Sequence, residues 1–289
     1  MTNAVTSGTI LFLGLLVLGC GNASKAGHGQ PAGADPCGER EKDRVAGPAT
    51  CSVQAGANWH FRFSYPAAAG RIPRLKAHFD LERRKKEEAF QPLIAYAAEH
   101  PETADFFEEA DYLLDANRPE LIALSFRVSE YSGGAHGLSG GGTLLWDKAA
   151  DREIENSNLF TDSSAAMREL ARVHCPMLAR ARAAEAEASG GFNRSPCPKP
   201  PYEAALLATP DGRINTLKIT YHELDGYAGG EYAAFIPVSP QLLGMIQQRY
   251  KGAFALSSEP SRVCNANLPQ QCVTAANAGQ AVVRKPQPQ

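Results

Sequence analysis

Gly137-Leu138-Ser139-Gly140-Gly141 spells Gly-x-Ser-x-Gly, the pattern of a serine nucleophile on a strand-to-helix turn. That chemistry needs a helix after the serine. Here Thr143-Leu144-Leu145-Trp146 follows, which has strand character, so the esterase context fails. Beside it, His136 is of a type that serves as general base or metal ligand. Its partners would be His222, Glu223, Asp225 or Glu231, if the two segments meet across a sheet. No second histidine stands at His-x-x-x-His spacing from it. The expected role of His136 is therefore structural, in a loop, with its ring nitrogens bonded to backbone carbonyls or to Asp225. No metal, cofactor or catalytic set is expected. A hydrolase or metal-dependent enzyme using His136 with nearby acids is the alternative.

The whole stretch Glu130–Gly142 reads E-Y-S-G-G-A-H-G-L-S-G-G-G, with six glycines in thirteen residues. Glycine at this density permits positive φ and close backbone approach, at an entropic cost that regular elements avoid. The stretch is either a demanding corner or a site. Tyr131 and Tyr227 both adjoin glycines and read equally as core aromatics or as a shared exposed rim. Tyr131, Gly133, Gly134, His136, Gly137, Tyr227 and Glu231 are the candidate binding residues.

The elements that must hold these residues follow from periodicity. His60 to Tyr65 alternates, with Phe61, Phe63 and Tyr65 on one face. A helix runs from Ile72-Pro73 to about His100, with Leu75, Phe79, Phe90, Leu93, Ile94 and Ala97 as its buried stripe. Its run Glu82 to Glu88 reads as a solvated face of i,i+4 pairs. Leu121–Glu130 is the clearest strand, and Thr143–Asp147 is its antiparallel neighbour across a glycine-rich loop. Thr161-Asp162-Ser163-Ser164 caps a helix over about 165–188, which Pro176 should break or kink. Pro210-Asp211-Gly212 turns a hairpin, a further strand covers Glu231–Val238, and Pro240–Tyr250 closes the fold as a helix. Hairpin-linked strands with outlying helices predict an α+β fold: an antiparallel sheet with helices packed against it.

Composition supports one or two globular domains: 289 residues, 44% hydrophobic, 21% charged. A net charge of −2 gives no footprint for nucleic acid. Ile10–Leu18 is apolar, too short to span a bilayer, and ends Leu16-Val17-Leu18-Gly19-Cys20. It resembles a bacterial lipoprotein signal, which implies that Cys20 is lipidated, although no Lys or Arg precedes Ile10. Removing Cys20 leaves Cys37, Cys51, Cys175, Cys197, Cys264 and Cys272, an even set suited to an oxidising compartment. Six cysteines allow fifteen pairings. Pairing along the chain, Cys37–Cys51, Cys175–Cys197 and Cys264–Cys272, is the simplest. Residues 21–57 read as a flexible tether, and the polar tail from 257 to 289 as poorly ordered.

Two segments together carry a family resemblance. Tyr131-Ser132-Gly133-Gly134-Ala135-His136-Gly137, with Trp146-Asp147 and Asn158-Leu159-Phe160 after it, resembles the start of a bacterial envelope domain. Tyr221-His222-Glu223-Leu224-Asp225-Gly226-Tyr227-Ala228-Gly229-Gly230, then a strand ending Ile236-Pro237, resembles its end. This is the C-terminal domain family of RsiV-like, lysozyme-sensing anti-sigma factors, also found beside peptidoglycan deacetylase domains and in lipoproteins. The resemblance implies a smaller domain over 58–118 and the RsiV-like domain over 119–256. It implies an envelope protein that binds a lysozyme-like protein or peptidoglycan, without catalysis; a structural envelope lipoprotein is a further alternative. No transmembrane or cytoplasmic anti-sigma segment is expected, because Cys20 stands in its place. Gly21 after Cys20 is not an Asp-type retention signal, so an outer-membrane anchor facing the periplasm is expected.

Overall fold

The computed structural model describes residues 49–102, 105–189, 197–221, 231–265 and 268–274. A first sheet contains β1 (Ala49–Ala55), β2 (Trp59–Pro66), β3 (Phe106–Asn117), β4 (Leu121–Tyr131), β5 (Leu138–Asp147) and β6 (Arg152–Ile154), side by side in that order. A second contains β7 (Ala204–Ala208), β8 (Ile214–Tyr221), β9 (Tyr232–Pro237), β10 (Arg262–Asn265) and β11 (Leu268–Thr274), also in sequential order. The helices are α1 (Ala67–Gly70), α2 (Pro73–Glu99), α3 (Ser163–Ser189) and α4 (Pro240–Met245). The fold class is α+β, and its sheets are mostly antiparallel.

The exception to antiparallel pairing is β2 with β3. The long α2 lies between them and returns the chain to the end from which β2 started, as a parallel pair requires. The alternation read from β2 holds: Phe61, Phe63 and Tyr65 are buried. They form one core with Leu75, Phe79 and Phe90 of α2 and with Ala110 and Tyr112 of β3. Tyr65 stacks on Phe79, with ring centroids 4.6 Å apart. Burying each such aromatic contributes about 1.5–3 kcal/mol.

A second core joins the second sheet to α3, with Leu170, Leu178, Leu217, Ile219, Tyr232 and Ile236 among its members. Strand β4 connects the two cores. Ile122 and Leu124 face the α2 core, while Leu121 and Ala123 face the second core, so all four are buried. Beyond Leu124 the second core ends. Ser125, Arg127, Ser129 and Tyr131 then present a polar face opposite α2. A burial difference along one strand thus leaves half of the first sheet covered on both sides and half on one side.

Several sequence expectations change. Strand β1 lies within the stretch expected to be tether, and β10 and β11 lie within the stretch expected to be a poorly ordered tail. Val263 and Val273 of that tail are buried in the second core, which explains why it is held. Strand β3 gave no clear alternating signal, because Glu108 and Glu109 stand side by side, as do Leu113 and Leu114, and Asp115 is buried where the register shifts. The expected boundary at 118/119 falls in the β3–β4 turn, within one continuous sheet. Helix α3 continues through Pro176. Proline removes one amide, while Met167, Leu170, Met177 and Leu178 bury the helix on both sides of it, so packing outweighs the local break. The cap is as expected: Asp162 Oδ1 accepts from the Ala165 amide at 2.9 Å.

The cysteines pair along the chain where their structure is described: Cys175 with Cys197 and Cys264 with Cys272. Cys51 is also in a disulfide; its expected partner, Cys37, lies outside the described residues, as does Cys20. No helix among the described residues is long and apolar enough to cross a membrane.

Candidate functional site

The glycine-rich stretch is mostly strand. β4 extends to Tyr131 and β5 begins at Leu138, so only residues 132–137 form the turn. Gly133 and Gly134 have φ of 106° and 99°, a region that side chains with a Cβ rarely enter. The Tyr131 hydroxyl donates to the Gly134 carbonyl at 2.9 Å, and its ring stacks near Phe106 and Phe107. A Cβ on Gly137 would lie 2.8 Å from the Glu130 carbonyl. Tyr131, Gly133, Gly134 and Gly137 therefore each have a local structural task. The result is a braced tip that stays exposed from Ser132 to Gly137.

His136 sits at this exposed tip, with Nδ1 3.2 Å from the Gly137 carbonyl. A backbone carbonyl partner was expected, but with the ring packed in the loop; the residue is instead exposed. The meeting with His222, Glu223, Asp225 and Tyr227 falls on residues outside those described. Ser139 pairs with Ser129 at the start of β5. A serine on a flat strand has no elbow geometry, in agreement with the failed esterase context.

The glycines of β5 line a cleft. Phe126 lies opposite Gly142 in the β4–β5 ladder, and a Cβ on Gly142 would come within 2.7 Å of its ring. A Cβ on Gly141 would be 2.6 Å from the Phe126 carbonyl oxygen. Residues Ser139–Thr143 make one wall of an open polar cleft of about 200 Å³, with Arg127, Glu203, Lys218 and Glu231 at its sides. Glu231 was a sequence candidate; Arg127, Glu203 and Lys218 were not. They come from three separate strands or strand lead-ins, so their meeting leaves no spacing signal. His136 is not among the residues lining the cleft. Thr143 and Glu203 also border a larger hollow of about 580 Å³, which Arg152, Glu155, Asn156 and Tyr202 help to line. Asn156 fixes the wall between them. Its Nδ2 donates to the Ala204 carbonyl at 3.0 Å, and its Oδ1 accepts from the Ala204 amide at 2.9 Å.

On the same face of the first sheet as the cleft, β2 and β3 carry a ladder of charges. Arg62 donates to Asp111 at 2.6 Å and lies 3.2 Å from Glu109, and His60 meets Glu109 at 3.2 Å. The His60 hydrogen bond and the Arg62 charge hold Glu109 below the usual carboxylate range. These groups pair across strands, which stabilises the sheet.

The most perturbed histidine is elsewhere. His174 on α3 is fully buried. Its Nδ1 donates to the Leu170 carbonyl, which leaves Nε2 as an acceptor for the Tyr221 hydroxyl. Nε2 also lies 3.7 Å from Sγ of both Cys175 and Cys197. Burial pushes its pKa down to about 4, so the ring is neutral at physiological pH. Burial likewise pushes the Tyr221 hydroxyl up, keeping it protonated to donate. The sequence marked this site through the expected Cys175–Cys197 pair and gave no sign of His174.

No family model matches the chain, and no curated protein matches it. Several solved structures are similar to it, two of them as follows. One is a DUF3298 family protein from Pseudomonas aeruginosa PAO1, at 17% identity and a TM-score of 0.45, covering 71% of this chain and 96% of that one. The other is a DUF3298 family member from Bacteroides fragilis NCTC 9343, at 15% identity and a TM-score of 0.46, covering 71% and 95%.

Proposed function

We propose that this chain is a lipid-anchored bacterial envelope protein, tethered through Cys20, whose α+β region is an RsiV-like binding module. Its ligand is a lysozyme-like protein or peptidoglycan, and it binds without catalysis. The observation that supports this most is the exposed hairpin tip of residues 132–137. Two positive-φ glycines and the Tyr131–Gly134 hydrogen bond preorganise it, and it leads directly into the polar cleft along β5. A preordered protrusion loses less entropy on binding than a flexible loop would. The cleft offers both charge signs within a short distance, which suits hydrogen bonding to a polar polymer or to a polar protein surface. The enzyme alternative has less support: His136 stands on the tip rather than in the cleft.

The test is retention of the chain from Gly21 onward, immobilised, against lysozyme and against purified peptidoglycan. Binding of one of them, weakened at least tenfold by Tyr131→Ala together with His136→Ala, is expected. Retention of neither would remove the ligand assignment. For the anchor, Cys20→Ala is expected to move the full chain out of the membrane fraction; unchanged fractionation would refute lipidation there.

A further inference from the structure

We propose that the dithiol form of this protein holds a borderline-soft divalent cation, of the zinc type, between His174 Nε2 and the sulfurs of Cys175 and Cys197. The three ligand atoms come from two places that the fold brings together. Cys175 follows His174 on α3, and Cys197 returns from the segment after the helix to meet it, with Cα atoms 5.5 Å apart. These ligand atoms lie within 4.8 Å of one another, and among the described residues no other cluster of three such side chains does so.

The histidine is arranged as a ligand would be. Ligating imidazoles usually donate their second N–H to a carbonyl, which sets the tautomer and the ring plane. His174 donates from Nδ1 to the Leu170 carbonyl, so Nε2 carries the lone pair and lies within reach of both sulfurs. Its 3.7 Å separation from each sulfur is close to the span between two ligands of a tetrahedral ion with bonds of about 2.0 Å to nitrogen and 2.3 Å to sulfur. Only the two sulfurs must move apart. The Tyr221 hydroxyl now donates to Nε2. With an ion in place it turns to a thiolate, so the buried donor stays satisfied. Both cysteines are half-exposed, which gives ion and solvent an approach, while His174 is fully buried.

The balance is simple. In the dithiol state two S–H groups and one neutral imidazole meet the cation; two protons leave, and two S–M bonds and one N–M bond form. Reaching that state from the disulfide takes two electrons and two protons, supplied by a dithiol that becomes a disulfide, or by a phosphine and one water that leave as the phosphine oxide. Oxidation back to the disulfide, by molecular oxygen or by another disulfide that is reduced to its thiols, expels the ion. The disulfide form therefore binds no ion at this place.

The experiment uses the full chain, reduced with a phosphine, freed of reductant without air and titrated with cobalt(II). One equivalent is expected to produce sulfur-to-cobalt charge-transfer absorption and the intense visible bands of a tetrahedral site, both removed by one equivalent of zinc. The oxidised chain is expected to produce neither. Cys175→Ser with Cys197→Ser should abolish the bands, and Cys264→Ser with Cys272→Ser should leave them intact. Tyr221→Phe should keep them, with affinity lowered about tenfold as for other outer-shell partners. His174→Gln should also abolish the bands; circular dichroism checks that the variants fold, and the serine pair remains decisive should this one not fold. Absence of bands in the reduced chain would overturn the assignment. So would their persistence without Cys175 and Cys197, or their loss without Cys264 and Cys272.

Discussion

Neighbouring glycines of β5 play different parts. At Gly140 an added Cβ would meet nothing within 4 Å, whereas at Gly141 it would lie 2.6 Å from a backbone oxygen that has little room to yield. Gly140→Ala is therefore expected to change stability by less than about 1 kcal/mol, with a gain possible through the unfolded chain. Gly141→Ala is expected to cost about 1–3 kcal/mol, as overpacking does. Urea midpoints of the two variants, measured side by side, check this contrast; equal losses would mean that both glycines serve the same purpose. The sequence displayed both residues as members of one run. It could not distinguish them, because the distinction lies in which atoms of β4 face each one.

Between elements, Asp147 at the end of β5 makes a polar tie. Its side chain is almost fully buried. It accepts from the amides of Ala149 and Ala150, from the Tyr250 hydroxyl at 2.7 Å, and from Arg249 at 3.0 Å. Burial alone would raise its pKa, but the Ala150 amide, the Tyr250 hydroxyl and Arg249 bring it below the ordinary aspartate value. A carboxylate lowered in this way binds protons more readily when unfolded. Its contribution is thus fully present above its unfolded pKa and is lost as pH falls through that value toward the folded one. Asp147→Asn is expected to flatten the acid limb of the stability-against-pH curve, read by urea unfolding between neutral and acidic pH. At neutral pH Asp147→Ala is expected to cost about 3 kcal/mol, because the buried donors lose a charged acceptor. An unchanged acid limb in the asparagine variant would show that other carboxylates dominate it.

Over the whole molecule, the C-terminal hairpin is part of the fold. β10 pairs with β9, and Val263 and Val273 enter the second core. Truncation after Leu256 is expected to lower the thermal midpoint sharply or leave the chain insoluble, whereas a poorly ordered tail would be removed at no cost. The comparison of melting curves decides. For the same reason binding experiments need the chain through Thr274, and from Ala49 so that β1 is kept beside β2. The Cys264–Cys272 staple acts here as well. A short loop closed by a disulfide is worth on the order of 2–3 kcal/mol in the loop-entropy model.

Alternation and turn chemistry were enough to specify much of the molecule. They gave the alternating face of β2, the buried stripe of α2, the antiparallel β4–β5 pair, the Asp162 cap and the hairpin at Asp211-Gly212. These depend on side chains close in sequence, where period and capping act directly. The sequence also identified the glycine-rich stretch as the unusual feature. Only the tertiary structure decided that half of it is strand, that Tyr131 braces the turn, and that Arg127, Glu203, Lys218 and Glu231 share one cleft. The same holds for β3, whose alternation is interrupted by Glu108-Glu109, Leu113-Leu114 and a register shift, and for α3, which long-range packing carries through Pro176. His174 is the extreme case. Its burial, its tautomer and its place beside the two sulfurs depend on Leu170, Tyr221 and Cys197. No local period can encode a meeting of groups so far apart along the chain.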